Sequence, residues 1–136
     1  MANPNKTNPV LNGVWIEPIE LTPDDSESDI NVIPANIDSV VLDANVNGVN
    51  DFVVLPALAS VPNGHIITIL AGAANCELRT PASSTEEINS ENCDGTKEYL
   101  ITATDIVKVT KIDNTIGWMG ASWTKLGAKR TAVVPD

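Results

Sequence analysis

Short apolar runs separated by turn signals recur along most of this 136-residue chain. From residue 37 onward they follow the spacing of roughly 8–12 residues that is typical of β-sandwiches and barrels. We therefore predict strands over 37–42, 51–55, 65–70, 76–80, 98–102, 106–112, 116–122 and 132–134. Asn-Gly pairs at 47–48 and 63–64 and an Asp-Gly pair at 94–95 favour tight hairpin turns. The pattern predicts an all-β fold, a compact β-sandwich or barrel.

The sixth of these predicted strands shows the alternation most clearly. Val107, Val109 and Lys111 share one face, and Lys108 and Thr110 share the other, because successive side chains of a strand point in opposite directions. The alternation of apolar and polar character is imperfect, which indicates that both faces of the sheet are partly covered.

Residues 81–92 carry the one helix signal that the pattern offers. Ser84 and Glu87 have the spacing of a capping box. The only apolar residues nearby are Ala82 and Ile88, which are too few for an apolar helix face. We predict a loop with at most one helical turn.

The first 36 residues have a different character. Five of the nine prolines lie there, at positions 4, 9, 18, 23 and 34, and proline removes a backbone donor and favours extended chain. The short apolar patches between them are too irregular to fold alone. We predict an extended N-terminal arm over 1–36, which lies on another surface, and a β-sandwich or barrel domain over 37–136. The residues predicted to anchor the arm are Val14, Trp15, Ile16, Ile19 and Leu21.

Composition and charge narrow the function. Aromatic residues make up only 4% of the chain, so the core must be aliphatic, and the many β-branched residues favour strands over a helical bundle or coiled coil. The net charge of −10 lacks the basic face that nucleic acids and anionic membranes require. No apolar run approaches the roughly 20 residues that span a bilayer. Neither nucleic acid nor membrane is a predicted partner.

Candidate chemistry is sparse. The single histidine, His65, follows an Asn-Gly turn and is interpreted as a surface residue of a hairpin. Cys76 and Cys93 lack the spacing of zinc ligands and are expected to be free thiols unless the fold brings them together. The acidic run 24–29 lacks the glycine and final glutamate of a calcium loop, so a bound cation and a basic partner both stay open there. We predict no enzyme activity, no cofactor and no metal site.

The block after residue 116 holds two of the three tryptophans. Trp118 and Trp123 are five residues apart, and on one strand this odd spacing puts them on opposite faces, one in the core and one in a subunit interface. A bulge would instead let both serve the core. Lys125, Lys129 and Arg130 form the only basic cluster. This basic rim is interpreted as meeting an acidic arm of a neighbouring copy or an acidic host surface, or as a solubilising rim.

The order of several short words in residues 51–126 resembles a β-module of tailed-phage structural proteins. The words are VLPA at 54–57, GHIITI at 64–69, ELRTPA at 77–82, IN at 88–89, DGTKEYL at 94–100, VKV at 107–109 and GW at 117–118. Their order is similar to that of capsid decoration (cement) proteins and fibre-like virion proteins. The opening Met-Ala-Asn-Pro-Asn also resembles the start of some decoration proteins. The resemblance implies a β-rich, commonly trimeric module on a capsid, with no catalytic residues.

The expected function is therefore a phage capsid decoration protein. It would be made in the host cytoplasm, bind the major capsid protein on the outer surface of the assembled head as a homotrimer, and stabilise contacts between capsid subunits. The alternative is a fibre or receptor-binding module of the virion that contacts a host-surface glycan or protein. The capsid lattice, the oligomer symmetry and the choice between head and tail stay open at this point.

Overall fold

The structure, a computed structural model, describes residues 17–42, 51–72 and 75–124, without the side chains of Trp123 and Thr124. These residues form ten strands and one 3₁₀ turn, Leu58–Ser60. The strands are β1 Ile19–Leu21, β2 Ser39–Leu42, β3 Phe52–Val54, β4 Ile66–Leu70, β5 Cys76–Arg79, β6 Glu87–Ile88, β7 Glu91–Asn92, β8 Tyr99–Ile101, β9 Asp105–Asp113 and β10 Gly117–Thr124. The predicted all-β class is confirmed.

The strands form two mixed sheets. The large sheet has seven strands in the order β1-β2-β4-β9-β10-β6-β7, and the small sheet has the order β3-β5-β8. Pairing is parallel for β1 with β2, β2 with β4, β3 with β5 and β6 with β10. The other pairs are antiparallel. Consecutive strands therefore often lie in different sheets, which a chain of simple hairpins does not produce.

Of the three predicted hairpin turns, residues 63–64 form a turn and residues 94–95 a bend, and neither connects a hairpin. The first precedes β4 of the large sheet after a connection from β3 of the small sheet. The second connects β7 of the large sheet to β8 of the small sheet. The pair at 47–48 lies outside the described residues. A local turn signal fixes the backbone bend but leaves strand pairing to tertiary packing.

The long hairpin joins β9 to β10. Asp113 Oδ1 accepts hydrogen bonds from the backbone N–H groups of Thr115 at 2.8 Å and Ile116 at 2.6 Å. These bonds from backbone donors lower the pKa of the Asp113 carboxyl. Gly117 follows at φ +80°, and a Cβ there would lie 2.5 Å from the carbonyl oxygen of Glu87. Glycine is thus required both by the turn and by the close approach of β6.

The core lies between the two sheets and is mainly aliphatic, as the composition predicted. Its largest fully buried side chains are Trp118, Ile33, Leu55, Ile67, Ile69, Leu78, Ile88 and Ile101. Burial of each aliphatic side chain of this size contributes about 1.5–3 kcal/mol. Seven of the eight predicted strands are present, with bounds that differ by one or two residues, and the eighth, 132–134, lies outside the described residues.

Residues 81–92, predicted as a loop with at most one helical turn, contain no helix, but they are not loop throughout. Instead β6 and β7 pair as a two-residue hairpin. Asn89 and Ser90 make its turn at φ +52° and +69°. Asparagine tolerates the left-handed region because its short polar side chain bonds locally, and this ends any helical run.

The predicted arm over 1–36 is corrected for the part that the structure describes. Ile19 and Leu21 lie in β1, which pairs in parallel with β2, and both pack against the core. Farther on, the backbone N–H of Ile33 donates to the carbonyl of Val54 at 2.9 Å. Prolines at 18 and 23 bracket β1 without disturbing it, because β1 is an edge strand. The domain therefore includes residues 17–36.

Candidate docking surface

The large sheet exposes one face to the surroundings. Cross-strand registers set Ile66, Thr110 and Met119 side by side, and Thr68, Lys108 and Ala121 in the next row. Along β2, β4, β9 and β10 the side chains of this outer face are Ser39, Val41, Ile66, Thr68, Leu70, Ile106, Lys108, Thr110, Ile112, Met119 and Ala121. Most side chains of the opposite parity face the small sheet and are buried: Val40, Leu42, Ile67, Ile69, Val107, Val109, Lys111 and Trp118.

The outer face is apolar for a surface of an acidic protein. Met119 is 51% exposed, Ile66 43% and Ile112 38%. Lys108 is the only charged side chain in this set, and Glu20 of β1 lies beside Val41 at the edge of the face; the chain as a whole is 19% charged. Interface centres are depleted in charge and enriched in methionine, and contiguous exposed apolar surface marks docking sites. The outer face is the candidate functional site.

Lys111, on the inner face, is a buried lysine whose ammonium group binds backbone carbonyls. It is 3% exposed, and its Nζ donates to the carbonyls of Leu58 at 2.6 Å and Val61 at 2.7 Å. Glu86 Oε1 accepts from the backbone N–H of Leu58 at 3.0 Å. Burial raises the pKa of the Glu86 carboxyl, opposed by the Leu58 N–H and the positive charge of Lys111. The two side chains hold the 3₁₀ turn in place.

Arg79 ties the small sheet together in a similar way. Its Nη2 lies 2.9 Å from Glu77 Oε2 and 2.8 Å from Glu98 Oε2. Its guanidinium carbon lies 4.0 Å from the centroid of the Phe52 ring, a cation–π geometry. Burial raises the pKa of the Glu77 carboxyl, and the hydrogen bond from Arg79 opposes this rise. The cluster links β3, β5 and the residue before β8.

The acidic run 24–29 wraps a buried asparagine. The Nδ2 of Asn31 donates to the carbonyls of Ser26 and Phe52, both at 3.0 Å, and its Oδ1 accepts from the backbone N–H of Ser28 at 2.9 Å. Glu27 Oε2 accepts from the backbone N–H of Ala82 at 2.9 Å. The loop is therefore held by bonds within the chain. Sequence reasoning missed Asn31, for which the sequence carries no local signal.

The histidine and the two cysteines, the other residues considered for chemistry, are partly or fully buried. His65 is half-buried, with its Nε2 3.1 Å from the carbonyl oxygen of Ile37. Cys76 and Cys93 are buried free thiols. Burial raises the pKa of the Cys76 thiol to about 12, and burial also raises that of Cys93, so both are poor nucleophiles at neutral pH. Among the described residues, no three His, Cys, Asp or Glu side chains gather as metal ligands.

The predicted binding residues are only partly covered by the structure. Trp118 is fully buried in the core. Trp123 lies in β10 with its backbone opposite Ile106. Ile19 and Leu21 pack within their own chain rather than on a foreign surface. The other anchor residues and the basic rim lie outside the described residues: Val14, Trp15, Ile16, Lys125, Lys129 and Arg130.

Comparison with protein-family models, with curated proteins and with solved structures finds no match to this chain. Within the described ranges, no helix combines the length and hydropathy needed to cross a bilayer.

Proposed function

We propose that this protein is a capsid decoration protein of a tailed phage. It binds the major capsid protein on the outer surface of the assembled head, acts as a homotrimer on the virion, and stabilises contacts between capsid subunits. The observation that carries the proposal is the outer face, a largely aliphatic and partly exposed surface with Lys108 within it and Glu20 at its edge, on a chain of net charge −10. The resemblance of the sequence words supports the phage head as the partner.

Burial of the outer face against a partner would contribute free energy to docking. Complete burial of an aliphatic side chain contributes about 1.5–3 kcal/mol, and Ile66, Ile112 and Met119 each retain more than a third of their surface for that gain. Association costs offset part of it. A shell repeats its surface many times, so a trimer that engages several sites at once gains avidity. Modest burial per copy is sufficient for full occupancy.

The buried polar groups support a structural role. Lys111 is committed to two backbone carbonyls, and Arg79 to two carboxylates and an aromatic ring. Such bonds hold loops on a rigid body rather than presenting groups to a substrate. A rigid β body with an apolar face suits assembly, because little ordering entropy is lost on docking.

Cosedimentation with undecorated heads tests the proposal. The double variant Ile66→Lys with Met119→Lys is expected to bind about tenfold more weakly or worse, equivalent to at least ~1.4 kcal/mol. The matched control is Ile30→Lys, because Ile30 is as exposed as Met119 but lies outside the strands. This control is expected to bind as wild type does. Full occupancy by the double variant would remove the outer face as the docking site.

The partner is tested with the same material. Light scattering is expected to give a trimer in solution or on the head. If the protein does not bind heads but binds host cells or glycans through the outer face, the partner is a host receptor and not the capsid.

A further inference from the structure

The strands at the edges of the two sheets differ in how their free edge is protected. Pro18 and Pro23 bracket β1, and proline is one device that keeps an edge strand from pairing with another chain. Residues 24–32 cover the free edge of β3 with two β-bridges, and β7 has only two residues, one of them Glu91. The fourth edge, that of β8, has no proline, no charged residue and no covering segment among the described residues.

The peptide groups of Leu100 face this free edge of β8. In β5, the N–H of Glu77 donates to the carbonyl of Asp51 at 2.9 Å, so the peptide groups of Glu77 bond on the side of β3. Glu77 lies opposite Leu100 in the antiparallel pair of β5 with β8. Where one residue of an antiparallel pair points its peptide groups away from the partner strand, the residue opposite does the same. Leu100 therefore directs its N–H and carbonyl away from β5.

The side chains at this edge are apolar and open. Leu100 is 65% exposed, the largest fraction among the large hydrophobic side chains that the structure describes, and Tyr99 is 36% exposed. A cavity of about 70 Å³ lies beside them, and its lining includes Tyr99, Leu100 and Ile101 of β8 and residues 120–122 of β10. Protein interiors have few voids larger than a water molecule, so the described residues leave the gap between β8 and β10 unsealed.

We propose that β8 of a second copy of this chain pairs with this edge, antiparallel and about a two-fold axis at Leu100. Leu100 of each copy then exchanges both backbone hydrogen bonds with Leu100 of the other. The two three-stranded sheets become one sheet of six strands. An unpaired row of N–H and carbonyl groups is a template for pairing of this kind.

Symmetry favours β8 itself over any other strand as the occupant. A contact that uses the same surface on both copies closes as a dimer, whereas a contact between two different edges continues into rings or filaments. The edges of β1, β3 and β7 are protected, and at Gly120 the amide of Asn89 occupies the second edge of β10 with bonds of 2.9 and 3.1 Å. Among the described strands, β8 is thus the unprotected edge that can pair with β8.

The side chains also fit each other in this register. Tyr99 lies opposite Ile101 of the second copy, and aromatic–β-branched pairs stabilise antiparallel strands. Leu100 lies opposite Leu100 on the outer side of the small sheet. Like charges do not meet, because Glu98 lies opposite Thr102 and makes a salt bridge within its own chain. The register therefore brings together apolar groups without opposing two charges.

The turn after β8 limits the length of the contact. The N–H of Thr102 donates to Asp105 Oδ2 at 3.0 Å, and the Thr102 carbonyl accepts from the Asp105 N–H at 2.9 Å. The ladder between copies therefore ends at this turn. A contact this short is weak between free molecules and gains strength when copies are held side by side. On the head, a consequence that rests on the proposed function, it joins copies of different trimers, because a two-fold contact is separate from a three-fold one.

A single-cysteine trap tests the pairing on the full chain, without heads. Leu100→Cys puts two thiols opposite each other at the axis, with Cα atoms about 5.5 Å apart, within the range of a disulfide. Mild oxidation at high protein concentration is expected to give a covalent dimer bonded at position 100, shown by peptide mass mapping. Cys76 and Cys93 are buried.

Thr102→Cys is the matched control for the trap. Thr102 is exposed and has the same parity as Leu100, but in this register the two copies of residue 102 lie roughly 13 Å apart along the strands, too far for a disulfide. A dimer of Leu100→Cys at several times the yield of the control supports the proposal. Equal yields in the two variants, or no dimer in either, would overturn it. Head binding is scored separately, so its loss in a protein that still forms the dimer counts against the proposed function and not against the pairing.

Hydrogen exchange provides a second readout. Protection of the Leu100 amide in the wild type is expected to rise about tenfold or more with protein concentration, whereas that of the Ile101 amide, which faces β5, stays constant. Leu100→Lys sets like charges opposite each other across the axis and is expected to abolish the rise at position 100. Because Leu100 is mostly exposed, the fold is retained.

The other occupants of this edge give different results. Protection of the Leu100 amide that does not change with concentration would mean that the same molecule covers the edge. Protection that appears only when major capsid protein is added, without a covalent dimer of Leu100→Cys, would make a strand of the capsid protein the occupant. Either result would overturn the pairing of two copies.

Discussion

The two faces of the large sheet are similar in composition but differ in what covers them. The inner face lies under the small sheet, and its residues Ile67 and Val109 are buried. The outer face, with Ile66 and Met119, is nearly as aliphatic but lies open. Apolar character alone therefore does not locate the core of this protein. The second sheet decides which face becomes interior, and the other face keeps exposed side chains among the described residues.

The two lysines of β9 show the same contrast. Lys108 and Lys111 are three residues apart, and their opposite parity sends Lys108 to the outer face and Lys111 into the interior. In the interior a lysine must find hydrogen-bond partners, because an unpaired buried charge is very costly. Lys111 finds two carbonyls. A charged residue thus serves the inner face as a loop anchor and the outer face as a solvated group.

The contrast between the two faces predicts its largest difference in stability for substitutions at two neighbouring isoleucines of β4. Ile67→Ala is expected to lower the free energy of unfolding by about 2–5 kcal/mol, because it leaves a cavity in the core. Ile66→Ala removes a side chain that is 43% exposed and is expected to cost much less, within roughly 1 kcal/mol. Urea unfolding measures both. Equal losses would mean that the outer face is covered in solution, by a partner copy or by the chain itself.

The lysine pair tests the comparison at a smaller scale. Lys111→Met keeps much of the side-chain volume but removes the ammonium donor from the carbonyls of Leu58 and Val61, and we expect a loss of about 1–3 kcal/mol. Lys108→Met is expected to change stability by less than ~0.5 kcal/mol. Thermal and urea unfolding report the difference. If Lys111→Met proves as harmless as Lys108→Met, the 3₁₀ turn does not depend on the ammonium group.

The strands and their faces were predictable because they depend on a local period of two. The placement of Val107, Val109 and Lys111 on one face is confirmed, and that parity was already a signal that Lys111 points inward. The outer face could also have been predicted, because Ile66 and Met119 lie in predicted strands, on the side opposite to the buried residues of those strands.

Strand pairing and the fate of residues 17–36 were not predictable from the pattern. The parallel pairing of β1 with β2 joins segments that no turn connects directly, and its stability comes from the packing of Leu21 in the core. Asn31 and Asn89 use their amides to replace missing backbone partners. Such a role depends on which carbonyls the fold brings near, so it has no signature in neighbouring residues.

The pH dependence of stability gives the smallest effect and sharpens the picture of the inner side. Burial raises the pKa of Glu86 in the folded protein, so the folded state binds more protons than the unfolded state between the ordinary glutamate pKa of about 4.3 and the raised value. The free energy of unfolding therefore falls as pH rises through this interval. Glu86→Gln keeps an acceptor for the Leu58 N–H but removes the titrating carboxyl. The fall in the free energy of unfolding over this interval is expected to become smaller by less than about 1 kcal/mol, because the carboxyl is partly solvated. Urea unfolding at several pH values across roughly 4–7, the range in which glutamates titrate, measures this change in slope. Parallel profiles for the variant and the wild type would mean that Glu86 is as well solvated when folded as when unfolded, and that the inner side near Lys111 is more open than its geometry indicates.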